Sequence, residues 1–250
     1  MATCERQGVL AVLQQVERQG AYADVALDRV LGQQAWMAPQ RAFITEVALG
    51  IVRRRRTLDA WLSHFCPKGV PPDIRHLVHL GMYQIAFLDR VPAAAAVHST
   101  VELVKAGPRA GLAGLVNGVL RSFLRADREA LLNTLGDRHG YPDWLLALWE
   151  AEWGDPEPFC QWFNQPPALD LRVNPLKTNR ETLAQRLQAV GLSPEFLPDT
   201  PHGLRLRGPS GAIPQLPGFA EGEWSVQDAA AQWAVPLLDP QPGETILDAC

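Results

Sequence analysis

The chain has 250 residues, 47% hydrophobic and 20% charged, the composition of a soluble globular protein long enough for two domains. No apolar run reaches the roughly 18 residues that a membrane span needs, and Met1 to Leu10 lacks the basic and apolar blocks of a signal peptide, so neither export nor membrane insertion is expected. The net charge of −4 hides an asymmetry: residues 1–126 carry 15 Lys and Arg against 9 Asp and Glu, and the remainder 8 against 18, so only the first part suits phosphate. Four cysteines, Cys4, Cys66, Cys160 and Cys250, stand too far apart for a CxxC metal site or a secreted disulfide framework, so a reducing cytoplasmic location is expected.

The first part reads as helical throughout. Val9, Leu10, Val12, Leu13 and Val16 make one apolar face, with Gly20 as its stop. A second helix covers Asp24 to Leu31. A third starts near Pro39, where proline suits a first turn, and carries Phe43, Ile44, Val47, Leu49, Ile51 and Val52. Leu58, Trp61, Leu62 and Phe65 continue the helical period. Beyond the Lys68–Pro72 turn, the span Ile74 to Leu88 is apolar enough to be a central helix, and Ala93 to Lys105 and Leu112 to Leu124 complete a bundle with short connections. From Asp127 the sequence turns acidic and rich in tryptophan and proline, with short helices bounded by Pro142 and Pro156. Pro166-Pro167 then breaks the pattern, and Leu169 to Asn174 alternates as a half-buried strand. A helix over 179–190, strands at Glu195–Leu197, Gly203–Arg207 and Trp224–Val226, and a helix from Asp228 to Leu238 with Asp228 as N-cap follow. The final run, Thr245-Ile246-Leu247 after Pro242-Gly243 and before Asp248, reads as the first strand of a doubly wound nucleotide-binding sheet. A lone parallel strand cannot bury its two faces, so the chain is expected to be an amino-terminal fragment.

Few residues carry chemistry by themselves. Arg53, Arg54, Arg55 and Arg56 form the densest charge feature, yet four consecutive helical residues point around most of the circumference and make no single stripe. A helix end is expected there, either as a solvated terminal turn or as a contact to RNA phosphate. His76 and His79 share a helix face, but no acidic or cysteine ligand joins them at close spacing, so no metal is expected. Cys66 and Cys160 sit among apolar neighbours as structural thiols. Arg172 and Asn174 are either ordinary exposed strand residues or contacts to RNA. Asp248, Ala249 and Cys250 follow a strand with small residues, where backbone can approach a nucleoside or phosphate.

Several stretches together resemble one family, the bacterial 16S rRNA cytosine-C5 methyltransferases of the RsmB type, also called Sun or Fmu. They are Ala48–Arg54, Gly81–Ile85 with Arg90-Val91-Pro92, Leu115–Arg121, Asn164–Pro167, Leu171–Asn174, Leu216–Phe219, Ser225–Gln232 and Leu247–Cys250. The resemblance implies an all-α NusB-like helical bundle over 1–126, a helical linker region over 127–165 and a small α+β domain resembling an RNA-recognition fold over 166–222. It further implies the start of a Rossmann-like methyltransferase domain over 223–250, cut after its first strand. Strand Leu169 to Asn174 lacks the aromatic pair with which RNA-recognition sheets stack bases.

By that resemblance, the full-length protein transfers a methyl group from S-adenosylmethionine to a cytosine of 16S rRNA, and its catalytic cysteines come from motifs beyond Cys250. Asp248, Ala249 and Cys250 are then cofactor-binding, and Arg53 to Arg56, Arg172 and Asn174 are the candidate RNA contacts. This chain holds no catalytic residue and is expected to be inactive alone. A stand-alone RNA-binding or antitermination module of the NusB type is the alternative.

Overall fold

Gly20 sets the first boundary: it adopts a left-handed conformation, φ 62°, that L side chains disfavour, and closes helix α1 (Glu5–Gln19) as expected from sequence. The computed structural model describes residues 4–208 and 210–249, and these divide after Asn164 into two units.

The first unit begins with α1, whose Val9, Val12 and Leu13 are buried at helical spacing. Helices α2 (Ala23–Gly32), α3 (Ala38–Arg53) and α4 (Arg55–Phe65) follow, with Pro39 in the first turn of α3. Helix α5 (Pro72–Phe87) is central: Ile74, Val78, Leu80 and Met82, buried on several of its sides, reach α1, α3, α4, α6 (Ala93–Lys105) and α7 (Ala113–Arg125). His76 and His79 point from α5 to different carboxylates, Glu17 at 2.6 Å and Asp59 at 3.1 Å. Burial, then the facing His79 and Arg75, pushes the His76 imidazole down to about 4.

Helices α8 (Leu135–His139), α9 (Asp143–Trp153) and α10 (Glu157–Phe163) complete this unit around a small cluster of Leu146, Trp149 and Cys160. Thr134 starts α8 through a reciprocal cap: Asp137 N–H donates to Thr134 Oγ1 at 3.1 Å, and Thr134 N–H donates to Asp137 Oδ2 at 3.2 Å. The segment 127–165, read as a helical linker region, thus contains a small apolar cluster of its own between Leu135 and Cys160.

The second unit is a four-stranded antiparallel sheet, ordered β2-β3-β1-β4, built from β1 (Leu169–Val173), β2 (Pro194–Phe196), β3 (Gly203–Leu206) and β4 (Trp224–Val226). Helix α11 (Arg180–Ala189), N-capped by Asn179, crosses from β1 to β2. Its Leu183, Ala184 and Leu187 cover Leu171, Val173, Leu204, Leu206 and Trp224 on one face. The arrangement is a split β-α-β unit whose second crossover, between β3 and β4, contains a short 3-10 turn, Ile213–Gln215, where a helix would stand. Because β4 pairs with β1, in register Val173 with Trp224, the sheet runs across the 222/223 division drawn from sequence.

The other face of β1 explains why two separate sequence stretches belong together. Asp170, which alternation places on the polar side, is only 5% exposed and grips Arg205 across the sheet with two bonds of 2.6 and 2.7 Å. It also accepts from the Ala229 amide at 3.1 Å, while the Gln227 amide donates to the Asp170 carbonyl. Gln232 Nε2 adds bonds to the Leu171 and Gln227 carbonyls. Strand β1 therefore clamps the stretch from Ser225 to Gln232.

The Arg205 guanidinium, against the opposing effect of burial, holds the Asp170 carboxyl below its usual range. A depressed folded value stabilises the fold above the unfolded carboxylate value, near pH 4, and that stabilisation is lost as pH falls through the folded value. Asp170→Asn is expected to remove about 3 kcal/mol at pH 7 and little at pH 2, checked by urea unfolding at both.

Two expectations change at the end of the chain. The helix expected over 228–238 is a turn, a 3-10 segment Ala231–Trp233 and a short α12 (Ala234–Leu238), because the Asp170 and Leu171 bonds hold 227–232 in a non-helical path. Asp228 still caps locally, accepting from the Ala230 amide at 2.8 Å. Thr245-Ile246-Leu247 forms no strand; Leu247 is 86% exposed, and none of the four strands of the sheet pairs with it.

Candidate nucleic-acid interface

A groove of about 720 Å³ runs between α6 and α7 of the helical unit. Its sides are helical faces in the strict sense. Val97, His98, Val101, Glu102 and Lys105 recur at three- and four-residue spacing on α6, as do Ala113, Gly114, Asn117, Arg121, Leu124 and Arg125 on α7. Val116, Val119, Leu120 and Phe123 bury the opposite face of α7, which fixes the polar face outward. Small residues line the start of α7, and nothing lies within 4 Å of where a side chain at Gly114 would begin, so the groove stays open there.

The charge of this groove is positive and largely unspent. Arg121 Nε donates to Asn117 Oδ1 at 3.1 Å, one helical turn back, and Arg125 reaches the Ser122 hydroxyl at 3.5 Å. Neither arginine meets a carboxylate among the described residues. Glu102 is engaged by Lys105 at 2.8 Å, and that contact lowers its carboxyl below the ordinary value. Outward guanidiniums held by neutral side chains along an apolar floor are suited to backbone phosphate with bases or ribose lying against the floor.

The arginine run has a different fate. Arg53 ends α3, Arg54 is the junction residue and Arg55 opens α4, so the run spans a helix break. Arg56 is spent internally, on Asp137 at 2.9 Å, Asp143 at 2.8 Å, the Tyr141 carbonyl and the Thr134 hydroxyl. Arg55 faces Glu17 and Asp59 at 3.6 and 3.7 Å. Arg54 donates to the Arg138 and His139 carbonyls and covers the Phe87 ring. Arg53 is exposed. The run thus fastens α8 and α9 to the α3/α4 junction. Sequence spacing could not show this, because the acidic partners lie some 80 residues away.

In the second unit, Arg172 donates to Gln227 Oε1 at 3.4 Å, and Asn174 Nδ2 donates to the Gly222 carbonyl at 3.1 Å while its Oδ1 accepts from the Leu176 amide. Both are partly exposed and order the loops after β1 and before β4. Asp248 and Ala249 lie in an exposed irregular stretch, and Cys250 lies outside the described residues. Cys66 and Cys160 are buried, which pushes both thiols up, away from the thiolate a nucleophile needs. Among the described residues, no three His, Cys, Asp or Glu side chains gather as a metal site.

The sequence reading missed the α6/α7 groove. Its signal was present in Leu115–Arg121, where Asn117 and Arg121 are four apart on the polar side of a strongly amphipathic helix.

Comparison with known proteins places these parts. Residues 3–125 match the NusB family, and residues 141–212 match the ferredoxin-like domain of Methyltr_RsmF/B-like proteins. A relative from Synechocystis sp., "Probable ribosomal RNA small subunit methyltransferase B", is 46% identical over 98% of this chain and 57% of its own length. A Bacillus subtilis protein of the same description is 31% identical over 99% of this chain and 57% of its own. The chain thus spans somewhat more than half the length of these relatives. The solved structure titled "Crystal Structure of PH0851" superposes with a TM-score of 0.65 over 98% of this chain and 57% of that one, at 19% identity, which speaks to the fold. The strand order β2-β3-β1-β4 agrees with the ferredoxin-like match, and the second crossover departs from it by holding a 3-10 turn in place of a helix. The chain therefore joins a NusB-family domain to the ferredoxin-like domain of the RsmF/B-like methyltransferases.

Proposed function

We propose that this chain is the RNA-handling part of an S-adenosylmethionine-dependent rRNA cytosine-C5 methyltransferase acting on 16S rRNA in the cytoplasm. The observation that carries this reading is the succession of the two matched domains within one continuous similarity to relatives named as small-subunit rRNA methyltransferases. The basic α6/α7 groove supports a role of the helical domain, over about 1–126, as an RNA anchor. No described helix is long and apolar enough to cross a membrane. The ferredoxin-like match over 141–212 weighs against a lone antitermination module.

In this reading the domain that starts at 166, with β4 and the clamped stretch to Gln232 completing it, connects the anchor to the catalytic fold. Asp248, Ala249 and Cys250 contribute to the cofactor wall. The methyl donor supplies the one-carbon group when bound, and the residues of this chain hold the substrate RNA. Buried Cys66 and Cys160 leave the thiolate work to other cysteines.

The test is a pair of assays on the chain with 16S rRNA. Binding with micromolar or better affinity, steeply weakened by salt, is expected together with no transfer from a labelled methyl donor. Methyl transfer by this chain alone would contradict the division of labour, and absence of RNA binding would contradict the anchor.

A further inference from the structure

The helical unit holds a second cavity, of about 440 Å³, where α4 and the end of α5 meet the segment from Arg128 to His139 and Glu157 of α10. Three guanidiniums line it: Arg54, Arg128 and Arg138. Arg54 bonds only to main-chain carbonyls, at 3.3 and 3.4 Å, and Arg128 to the Ile85 carbonyl at 3.3 Å. The Arg138 side chain makes no hydrogen bond or ion pair among the described residues. Burial lowers the Arg54 guanidinium from its ordinary value, the mark of a cation desolvated without a compensating anion.

The wall also carries two aromatic rings, Trp61 and Phe87, and an unpartnered polar group. Trp61 and Phe87 face each other with ring centroids 5.9 Å apart, and Arg54 lies over the Phe87 ring at 5.3 Å. Thr57, 1% exposed, has a hydroxyl with no hydrogen-bond partner. A cavity of this size accommodates a single nucleotide.

Charge decides the kind of phosphate. Two carboxylates, Glu129 and Glu157, also line the cavity, and Glu157 already faces His139 at 3.4 Å. Three guanidiniums against two carboxylates leave one positive charge in excess. That matches the single charge of an internal phosphodiester and not the near-double charge of a phosphate monoester.

Resting on the RNA-binding reading above, we propose that this cavity receives one internal nucleotide of an RNA strand. Its phosphodiester meets Arg54, Arg128 and Arg138, and its ribose and base lie against Trp61 and Phe87. The RNA path then includes a nucleotide drawn out of the strand at the α4/α5 end of the helical unit, besides the stretch along α6 and α7.

The test titrates the full chain with a single-stranded RNA pentamer, with cytidine 5′-monophosphate and with inorganic phosphate. Arg138→Gln, at an exposed residue without internal partners, is expected to weaken the pentamer about fivefold and to reduce the salt slope by about 0.7, one single-strand phosphate contact. Arg54→Gln is expected to do the same where its melting curve shows a folded protein. The monophosphate and inorganic phosphate are expected to bind at least tenfold more weakly than the pentamer. Unchanged pentamer affinity and slope in Arg138→Gln, with binding still sensitive to charge reversal in the α6/α7 groove, would overturn the cavity while leaving the anchor standing. Equal binding of the monophosphate and the pentamer, both weakened by Arg138→Gln, would overturn the phosphodiester assignment. Failure of the unaltered chain to bind any RNA would overturn both.

Discussion

Reversing charge at Arg121 and Arg125 together is expected to weaken RNA binding about 30-fold at low salt and to lower the salt slope by about 1.4, two single-strand phosphate contacts. Both side chains lie on the groove face of α7 and bond only to neutral partners, Asn117 and Ser122. Removing them leaves no buried carboxylate unpaired, and the buried side of α7, through Val116, Val119, Leu120 and Phe123, is untouched. The double variant should therefore melt within about 1 kcal/mol of the parent, which separates lost binding from lost fold. Fluorescence titration of a labelled 16S rRNA fragment at several salt concentrations reads both the affinity and the slope. An affinity loss with no change of slope would mean that these arginines do not neutralise phosphate.

Gly50→Ala is expected to lower stability by about 3 kcal/mol in chemical unfolding. Gly50 lies on α3, where it lets α5 approach: a methyl group there would overlap the ring and hydroxyl of Tyr83. Tyr83 cannot move aside freely, because it is 4% exposed, its ring lies 5.0 Å from that of Phe87, and its hydroxyl donates to Glu46 at 3.0 Å. Burial, with the facing Glu46 carboxylate, pushes that phenol up, so it remains a donor throughout the ordinary pH range. The change must separate α3 from α5 or break the Tyr83–Glu46 bond. A paired Tyr83→Phe change is expected to recover less than half the loss, since ring atoms as well as the hydroxyl lie in the path.

The helical unit was largely legible in the sequence because its signals are local. Gly20, Pro39 and the apolar spacing of α1, α5 and α7 set element limits that tertiary packing then kept. Legibility failed where distant residues decide. The arginine run reads as a free basic turn until Asp137, Asp143 and the Tyr141 carbonyl, far along the chain, come round to Arg56. Asp170 reads as a solvent-facing strand residue until Arg205 and the Ala229 amide close over it, and those same bonds prevent the long helix expected after Asp228. The groove escaped notice for the opposite reason: its cations are spread over two helices, so no single stretch is dense in charge. Thr245–Leu247 has the composition of a buried strand, but composition cannot supply the neighbouring strands that would bury it.

The most direct measurement is photo-crosslinking of 16S rRNA to the chain, followed by identification of the linked peptides. An RNA anchor in the α6/α7 groove predicts that the main links fall between residues 93 and 125, at a yield that drops sharply when Arg121 and Arg125 are reversed. Links confined to residues 165–249, or an unchanged yield in the double variant, would contradict it.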